Sequence, residues 1–322
     1  MLSEEINRVA EEVSAILRGS LTADCSPLYR AAYHLPSQGG KRMRPFLVAK
    51  SSELVGGSAK PVIPAAAAVE LLHNFTLVHD DIMDNDALRR GVPTVHTVWG
   101  MPMAILAGDL MFAKAFQILL RAGGDDRRIR AAADELATAT IDLSEGQHLD
   151  MSFEERRDVR EDEYLAMISG KTAALFRASA KIGAILGGGS DEAVARLGEY
   201  GWNMGMAFQI YDDYLGLTSK EDVLGKAIGN DIREGKKTLI VIKGMSSDAA
   251  PLLSDALGKK SVPNEKMAAL LGHLQENGTF GYVYAKAKSY VDAALGSLSP
   301  FPESAARASL FQLAQMAISR KK

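Results

Sequence analysis

Residues 69–84 read VELLHNFTLVHDDIMD, an apolar run that ends in a cluster of carboxylates. The apolar residues follow the spacing of a helix and not the alternation of a strand. On that helix Asp80 and Asp84 are four residues apart and share one face. Asp81 is rotated from Asp80 by about 100°. The stretch therefore predicts a core helix whose last turns carry two carboxylates on the same side.

Helical spacing also dominates the rest of the chain. It recurs over residues 6–17 and over several later segments, and no run of alternating β-branched residues bounded by turns predicts a sheet. The loops are short, and none has the composition of an interdomain linker. We therefore expect an all-α fold with a single domain over residues 1–322. The later helical segments are 111–120, 129–150, 163–186, 191–217, 264–275, 281–295 and 304–318.

Composition excludes several classes of protein. The 322 residues are 47% hydrophobic and carry a net charge of −3, which gives no reason to expect nucleic acid as a partner. The single cysteine, Cys25, cannot form an internal disulfide and suits a reducing compartment. The N-terminal residues lack the basic and apolar segments of a signal peptide. The longest uncharged stretch, 91–108, contains proline and glycine and makes a poor membrane span. We expect a cytoplasmic protein with no transmembrane segment.

The first acidic cluster consists of Asp80, Asp81 and Asp84. Carboxylates this close repel one another unless a cation lies between them. Mg²⁺ suits them, because it takes one or two carboxylates and completes its coordination with water and substrate phosphates. Two other interpretations stay open. One is a solvated acidic helix end, and the other is a metal-dependent phosphohydrolase site built on His79 and Asp80, which leaves the basic residues of the chain unexplained.

A second acidic pair, Asp212-Asp213, also ends an apolar helical segment. Two acidic helix ends in one all-helical domain can face each other across a cavity. Together they can hold several Mg²⁺ ions around one diphosphate. Because both pairs occur in the same local context, chance explains them less well than it explains either pair alone.

Basic residues cluster with glycine and turn signals at three places. Guanidinium groups match phosphate oxygens, and lysine supplies a point charge. Each cluster alone is compatible with a solvated surface, but beside two Mg²⁺-type motifs they predict a site for two diphosphates, one bound through metal and one bound directly. The clusters are Gly39-Gly40-Lys41-Arg42-Met43-Arg44, Arg89-Arg90-Gly91, and Lys226 with Lys236-Lys237.

In their order along the chain, these residues resemble the trans-isoprenyl diphosphate synthases, also called polyprenyl synthetases, in particular the archaeal-type geranylgeranyl diphosphate synthases. The resemblance extends from Gly39 to about Lys243, and the C-terminal third is similar only in its helical character. It implies an isoprenoid-synthase bundle of helices around a deep central cavity, several Mg²⁺ ions bound with substrate diphosphate, and a homodimer. The matching blocks are 39–45, 70–91, 108–109, 146–150, 170–172, 208–213 and 225–238.

The resemblance implies a role for each matching residue. The Mg²⁺ ligands would be Asp80, Asp84 and Asp212. Isopentenyl diphosphate would be held by Lys41, Arg44, His73 and Arg90. The allylic diphosphate would be bound by Arg89. The allylic diphosphate and the developing cation would be lined by Lys171, Thr172, Gln209, Lys226 and Lys236. For His73, a satisfied core histidine is the alternative.

One position departs from the family pattern. The second acidic motif often ends in a third aspartate, and here that position is Gly216. We expect activity to survive, since that carboxylate can act on metal through water. The metal contact of this motif is assigned to Asp212 and not to Asp213.

Product length is predicted from Phe75, which lies five residues before Asp80 on nearly the same helix face as Leu72. A tail growing from the metal site along this face would meet the Phe75 ring, although an ordinary core position is the alternative. The resemblance implies that a bulky residue here, with no insertion in the first motif, accompanies a C20 product. We therefore expect geranylgeranyl diphosphate, with farnesyl diphosphate as the alternative.

The implied reaction needs no protein nucleophile. Metal and cationic side chains neutralise the charge on the departing pyrophosphate, an allylic carbocation forms, and the double bond of isopentenyl diphosphate attacks it. Loss of a proton then regenerates an allylic diphosphate. Two rivals are weighed. A terpene cyclase would not need the pocket of Lys41, Arg44 and His73, and a regulatory subunit of a heteromeric synthase should have lost the acidic motifs.

Overall fold

The structure, a computed structural model, describes residues 2–22, 26–156, 158–218 and 229–319. It is 79% helical and 1% strand, which confirms the prediction of an all-α fold. The described α-helices are α1 (Leu2–Leu21), α2 (Pro27–His34), α3 (Met43–Leu54), α4 (Ile63–Met83), α5 (Val95–Trp99), α6 (Met101–Leu119), α7 (Asp126–Glu154), α8 (Glu161–Ile168), α9 (Ala174–Gly187), α10 (Asp191–Thr218), α11 (Asn230–Glu234), α12 (Leu239–Met245), α13 (Ala250–Ala256), α14 (Asn264–Glu276), α15 (Thr279–Ser297) and α16 (Ala305–Ser319).

The chain divides into two compact units. Unit 1 comprises Met1–Thr138, Leu175–Gly201 and Pro300–Leu313. Unit 2 comprises Ala139–Ala174, Trp202–Ser299 and Ala314–Lys322. The prediction of one polyprenyl synthetase domain over residues 1–322 stays a prediction.

Helix α4 forms the core of unit 1. It begins with Pro64 in its first turn, where proline costs no helix hydrogen bond, and continues through four alanines, the best helix formers. These alanines, together with Val69, Leu71 and Leu72, are fully buried. Helices α1, α3 and α6 pack against α4. An apolar helix surrounded by other helices fixes the place of the acidic cluster at its C-terminal end.

A short hairpin follows α4 and corrects the prediction that the chain has no sheet. Leu88–Arg89 pairs antiparallel with Val92–Pro93. The two turn residues, Arg90 and Gly91, have φ angles of 55° and 79°, as the tight hairpin turn with two left-handed residues requires. Two-residue strands are too short to produce a period in the sequence, so the helical pattern on either side hid them.

Helix α6 begins ten residues earlier than the sequence predicted. Gly100, with a φ of 83°, ends α5, and Pro102 stands in the first turn of α6. These two residues mark a boundary between helices. On the α4 side of α6, a Cβ on Gly108 would lie 2.1 Å from the His79 ring, so glycine permits this close approach.

Two described stretches, Lys60–Met83 and Met101–Leu119, are long and apolar enough to cross a membrane by length and composition alone. The apolar part of the first stretch is 67% buried inside the structure, and that of the second stretch is 39% buried. Core helices of soluble proteins pass the same test. The absence of a transmembrane segment therefore stays a prediction.

Unit 2 has its own apolar core around α8, α10, α12 and α15. Tyr164, Met206, Ile210, Leu239 and Val283 are among its fully buried members. A π-helical segment, Ser169–Ala173, joins α8 to α9 within what the sequence predicted as one continuous helix. Such segments are frequent at functional sites, because they shift the side chains of one turn out of the regular helical positions.

Candidate active site

A cluster of positive charge in unit 1 surrounds His73 on α4. Burial lowers the pKa of His73 well below its ordinary value of 6.5, and the charges of four arginines lower it further. His73 is therefore neutral at physiological pH. The arginines are Arg44, Arg90, Arg42 and Arg89. Three of the residues predicted to hold isopentenyl diphosphate, namely Arg44, His73 and Arg90, thus lie in one electrostatic neighbourhood.

Arg44 is the most strongly perturbed cation of this cluster. Burial lowers its pKa to about 10, although the carboxylate of Glu70 opposes the shift. Its guanidinium lies 4.2 Å from the ring centroid of Phe176. Its buried Nε finds no hydrogen-bond partner among the described residues. A buried guanidinium nitrogen that lacks an acceptor is costly unless an anion completes it.

The turn before α3 is closed around Arg90. Gly39 and Gly40 have φ angles of 74° and 145°, and Arg90 donates a hydrogen bond to the Gly39 carbonyl. A Cβ on Gly40 would lie 3.1 Å from the Arg90 guanidinium. This turn leads directly to Lys41, which is exposed in the segment before α3. The turn thereby brings the Lys41 backbone to the hairpin that carries Arg90.

Arg42 has a structural role, which the sequence alone did not distinguish from the roles of Arg44 and Arg90. Arg42 has a φ of 49° and forms a buried ion pair with Glu70. It also donates to the Pro36 carbonyl at 3.0 Å. Asn74 donates to Glu70 at 3.1 Å. Because this buried network engages Arg42 with protein acceptors, it supports the turn, and Arg44 and Arg90 carry the remaining positive charge.

The aspartates of the first acidic cluster differ in their surroundings. Asp80 and Asp84 are partly exposed, whereas Asp81 is 1% exposed. Arg89 Nε donates to Asp81 at 2.6 Å, and its second contact, with Asp86, is 3.4 Å long. Burial raises the pKa of Asp81, and Arg89 opposes that rise. The predicted metal ligands therefore lie at the surface of α4, while Asp81 anchors the predicted phosphate-binding Arg89.

Phe75 lies in an aromatic group between α4 and α6. Its ring centroid is 4.8 Å from that of His79 and 5.5 Å from that of Phe112. Phe112 in turn contacts Phe116 at 5.2 Å. Phe112 is 37% exposed, so this group is not sealed in the core of unit 1. The predicted chain-length residue thus has a second aromatic wall, on α6, that the sequence did not identify.

In unit 2 the two aspartates of the second acidic pair also differ in their exposure to solvent. Asp212 is exposed, whereas Asp213 is partly buried and accepts hydrogen bonds from Tyr164 at 2.6 Å and from Gln209 at 2.8 Å. Burial raises the pKa of Asp213 to about 7, and the Tyr164 hydroxyl opposes that rise. With both of its oxygens engaged by protein donors, Asp213 is a structural anchor. This geometry fits the prediction that Asp212 is the ligand.

Residues predicted to line the developing cation meet at the π-helical segment. Thr172 donates its hydroxyl hydrogen to Gln209 Oε1 at 2.8 Å, and Lys171 forms a 2.5 Å ion pair with Asp150. A Cβ on Gly146 would lie 2.1 Å from the Lys171 backbone nitrogen, so a glycine on α7 is required here. The structure therefore groups Lys171, Thr172 and Gln209 within unit 2.

The space beside Gly216 is filled from elsewhere in the sequence. A Cβ on Gly216 would lie 2.7 Å from Asp231 Oδ2. Asp231 lies in the short helix α11. Lys236 is exposed and lies 3.5 Å from Glu234. The predicted residue Lys226 lies outside the described residues.

The residues fit Mg²⁺ only as part of a site that substrate completes. Asp80 and Asp84 lie one helical turn apart at the end of α4, as ligands of one cation must. Within the described part of the chain, no three His, Cys, Asp or Glu side chains form a metal-binding group by themselves. Mg²⁺ usually binds through one or two carboxylates plus phosphate oxygens, so this donor set suits it.

Comparison with known proteins identifies the family of this chain. The polyprenyl synthetase family model matches residues 26–274. The geranylgeranyl diphosphate synthase of Saccharolobus solfataricus is 46% identical over 100% of this chain and 98% of the relative. The crystal structure of geranylgeranyl pyrophosphate synthetase from Pyrococcus horikoshii superposes with a TM-score of 0.93 at 42% identity, covering 99% of both chains. A polyprenyl synthase from Caulobacter crescentus, crystallised with calcium and isoprenyl diphosphate, gives a TM-score of 0.87 at 31% identity over 99% of this chain and 98% of the other. The chain belongs to the polyprenyl synthetase family.

Proposed function

We propose that this prenyltransferase condenses isopentenyl diphosphate with allylic diphosphates, in the presence of Mg²⁺, and releases geranylgeranyl diphosphate. The observation that carries the proposal is the cluster of arginines around a neutral His73. A terpene cyclase binds one diphosphate and would leave this buried charge without use. Relatives of similar length that are named geranylgeranyl diphosphate synthase support the choice of product.

Isopentenyl diphosphate binds in unit 1 to Lys41, Arg44, His73 and Arg90. Arg44 offers its buried Nε to a phosphate oxygen, and Arg90 is held in place by the Gly39 carbonyl. Neutral His73 can donate one hydrogen bond without adding to the repulsion among the arginines. The diphosphate compensates the charge of the cluster, so the substrate supplies the stabilisation that the empty cluster lacks.

The allylic diphosphate is bound through Mg²⁺ to Asp80, Asp84 and Asp212. When bound, the Mg²⁺ ions neutralise the charge that grows on the departing pyrophosphate. Arg89 contributes from the hairpin, and Lys226 and Lys236 contribute cationic charge from the segment after α10. The Caulobacter relative that holds a divalent cation and an isoprenyl diphosphate supports this assignment.

Thr172 and Gln209 line the allylic carbocation with their side-chain oxygens and stabilise it, and the Lys171 ammonium lines the allylic diphosphate. The hydroxyl hydrogen of Thr172 is donated to Gln209, so the lone pairs of its oxygen remain for the cation. Asp150 orients the Lys171 ammonium through their 2.5 Å ion pair. The Thr172 hydroxyl, fixed by Gln209, is an oriented dipole, and such dipoles stabilise developing charge without reorganising during the reaction.

Phe75 ends the elongation tunnel and sets a C20 product. Its ring packs against Phe112, so an advancing tail meets two adjacent aromatic rings. Farnesyl diphosphate is the alternative product if the stop lies closer to the metal ligands. Product analysis after incubation with Mg²⁺, labelled isopentenyl diphosphate and each allylic starter tests the proposal. Recovery of cyclic hydrocarbons, or no incorporation of label, would refute it.

The active form is a homodimer in the cytoplasm, formed through α6. This helix exposes large apolar side chains, which a second copy would bury. Sedimentation equilibrium tests the dimer, and Ile105→Asp should shift it to monomer. The exposed apolar residues of α6 are Met101, Ile105, Leu106 and Phe112.

A further inference from the structure

Tyr164 on α8 is a fully buried residue that has no role in the reaction proposed above. Its side chain is 0% exposed, and its hydroxyl lies 2.6 Å from Asp213 Oδ2. Burial and the nearby carboxylates raise the pKa of Tyr164 well above 10, so the phenol keeps its proton. Toward a carboxylate, such a hydroxyl acts as a donor.

From Asp213 a chain of hydrogen bonds continues to the π-helical segment. Asp213 Oδ1 accepts from Gln209 Nε2 at 2.8 Å, one helical turn away on α10. Gln209 Oε1 accepts from the Thr172 hydroxyl, also at 2.8 Å. The donations converge on Asp213: the Tyr164 hydroxyl and the Gln209 amide nitrogen both donate to Asp213, and Thr172 donates to Gln209.

This direction matters for the reaction. An amide side chain can present either its oxygen or its NH₂ group to a neighbour, and the hydrogen-bond network decides which. If the Gln209 amide were reversed, its NH₂ would face Thr172, and the hydroxyl hydrogen of Thr172 would be released. A hydrogen presented to a carbocation destabilises it, whereas an oxygen lone pair stabilises it.

We propose that Tyr164 is a positioning residue: its hydroxyl holds Asp213, which fixes the Gln209 amide so that Thr172 presents an oxygen lone pair to the developing cation. The proposal rests on the roles proposed above for Thr172 and Gln209. Tyr164 thus acts on the chemical step through two intermediates and binds no diphosphate.

Tyr164→Phe tests the proposal because it removes one oxygen and keeps the ring in the core. We expect kcat to fall by about tenfold, since one hydrogen bond to a charged group is lost. The KM values for both diphosphates should change by less than about twofold, because uniform binding is untouched. Tyr200→Phe is the matched control: Tyr200 is also 0% exposed and donates to the Leu310 carbonyl at 2.6 Å, within unit 1. It should lower Tm and leave kcat unchanged.

A double-mutant cycle separates positioning from general stabilisation. In a Gln209→Ala background, Tyr164→Phe should lower kcat no further, because the amide it acts on is gone. Additive losses, an unchanged kcat in the single variant, or an equal loss in Tyr200→Phe would each overturn the proposal. If Tyr164→Phe does not fold, Asp213→Ala replaces it in the same cycle, with the same criterion. A wild-type protein that forms no prenyl product would instead refute the proposed function.

Discussion

Replacing Phe75 with alanine should lengthen the product by one five-carbon unit. Each elongation cycle buries five more carbons, which is favourable by about 4 kcal/mol at ~0.8 kcal/mol per carbon. A ring that stops elongation must therefore impose a steric cost larger than this gain. Without the ring, the tail can advance until it meets Phe112, whose centroid lies 5.5 Å from that of Phe75. Because Phe112 remains, we expect a new stop after one extra unit and not unlimited growth.

The stability cost should be tolerable. Truncation of a buried phenylalanine costs about 3–5 kcal/mol, and Phe75 is only partly buried. We expect a loss near 2 kcal/mol, which is below the typical stability of a folded domain. Thermal unfolding of the variant, measured without substrate, checks this value.

The assay is chromatography of dephosphorylated products from both proteins under identical conditions. Leu77→Ala is the control, because two residues along a helix rotate the side chain by about 200°, away from the Phe75 face. It should leave the product length unchanged. The double variant Phe75→Ala/Phe112→Ala should extend products further than the single variant. An unchanged distribution in folded, active Phe75→Ala would refute the assignment of the stop to this ring.

Three other predictions address the two diphosphate sites. Asp80→Ala should lower kcat by about a thousandfold or more while Tm stays within a few degrees, and near-normal turnover would contradict its role as a ligand. Lys41→Ala should raise the KM for isopentenyl diphosphate at least about tenfold and leave that for the allylic substrate within about twofold; equal effects would mean that the two sites are exchanged. Gly216→Asp should not increase activity and should cost about 1 kcal/mol, because it would place a second carboxylate beside Asp231, whose Oδ2 lies 2.7 Å from the position of its Cβ. Gly272→Asp, where a Cβ has open space, is the control for both kcat and Tm.

The spacing of apolar residues along the sequence was sufficient to predict the fold class and helix α4. The apolar run of residues 69–78 has one interpretation as a buried helix, and Asp80 and Asp84 follow from its period. The hairpin at Arg89 and Arg90 could not be predicted in the same way, because two-residue strands have no measurable period. The π-helical segment contains Gly170, but a single glycine in a helical pattern does not distinguish a π-helical turn from a regular one.

Contacts between distant residues were outside the reach of sequence pattern. Tyr164 and Asp213 are 49 residues apart, and neither carries a local signal that names the other. The same holds for Gly216 and Asp231, whose carboxylate lies beside this glycine. The sequence shows that Gly216 carries no carboxylate, but it could not identify Asp231 as the side chain beside it.

The two acidic pairs share a structural arrangement that the sequence does not show. In each pair the aspartates are adjacent, and adjacent residues on a helix point about 100° apart, so both cannot face one cation equally. The first member is the more exposed in both pairs, and the second is held by protein donors: Arg89 for Asp81, and Tyr164 with Gln209 for Asp213. A carboxylate engaged in this way fixes the rotation of its helix about its axis. We therefore propose that the doubled aspartate supplies one ligand and one anchor, and that the anchor keeps the ligand aimed at the cation site.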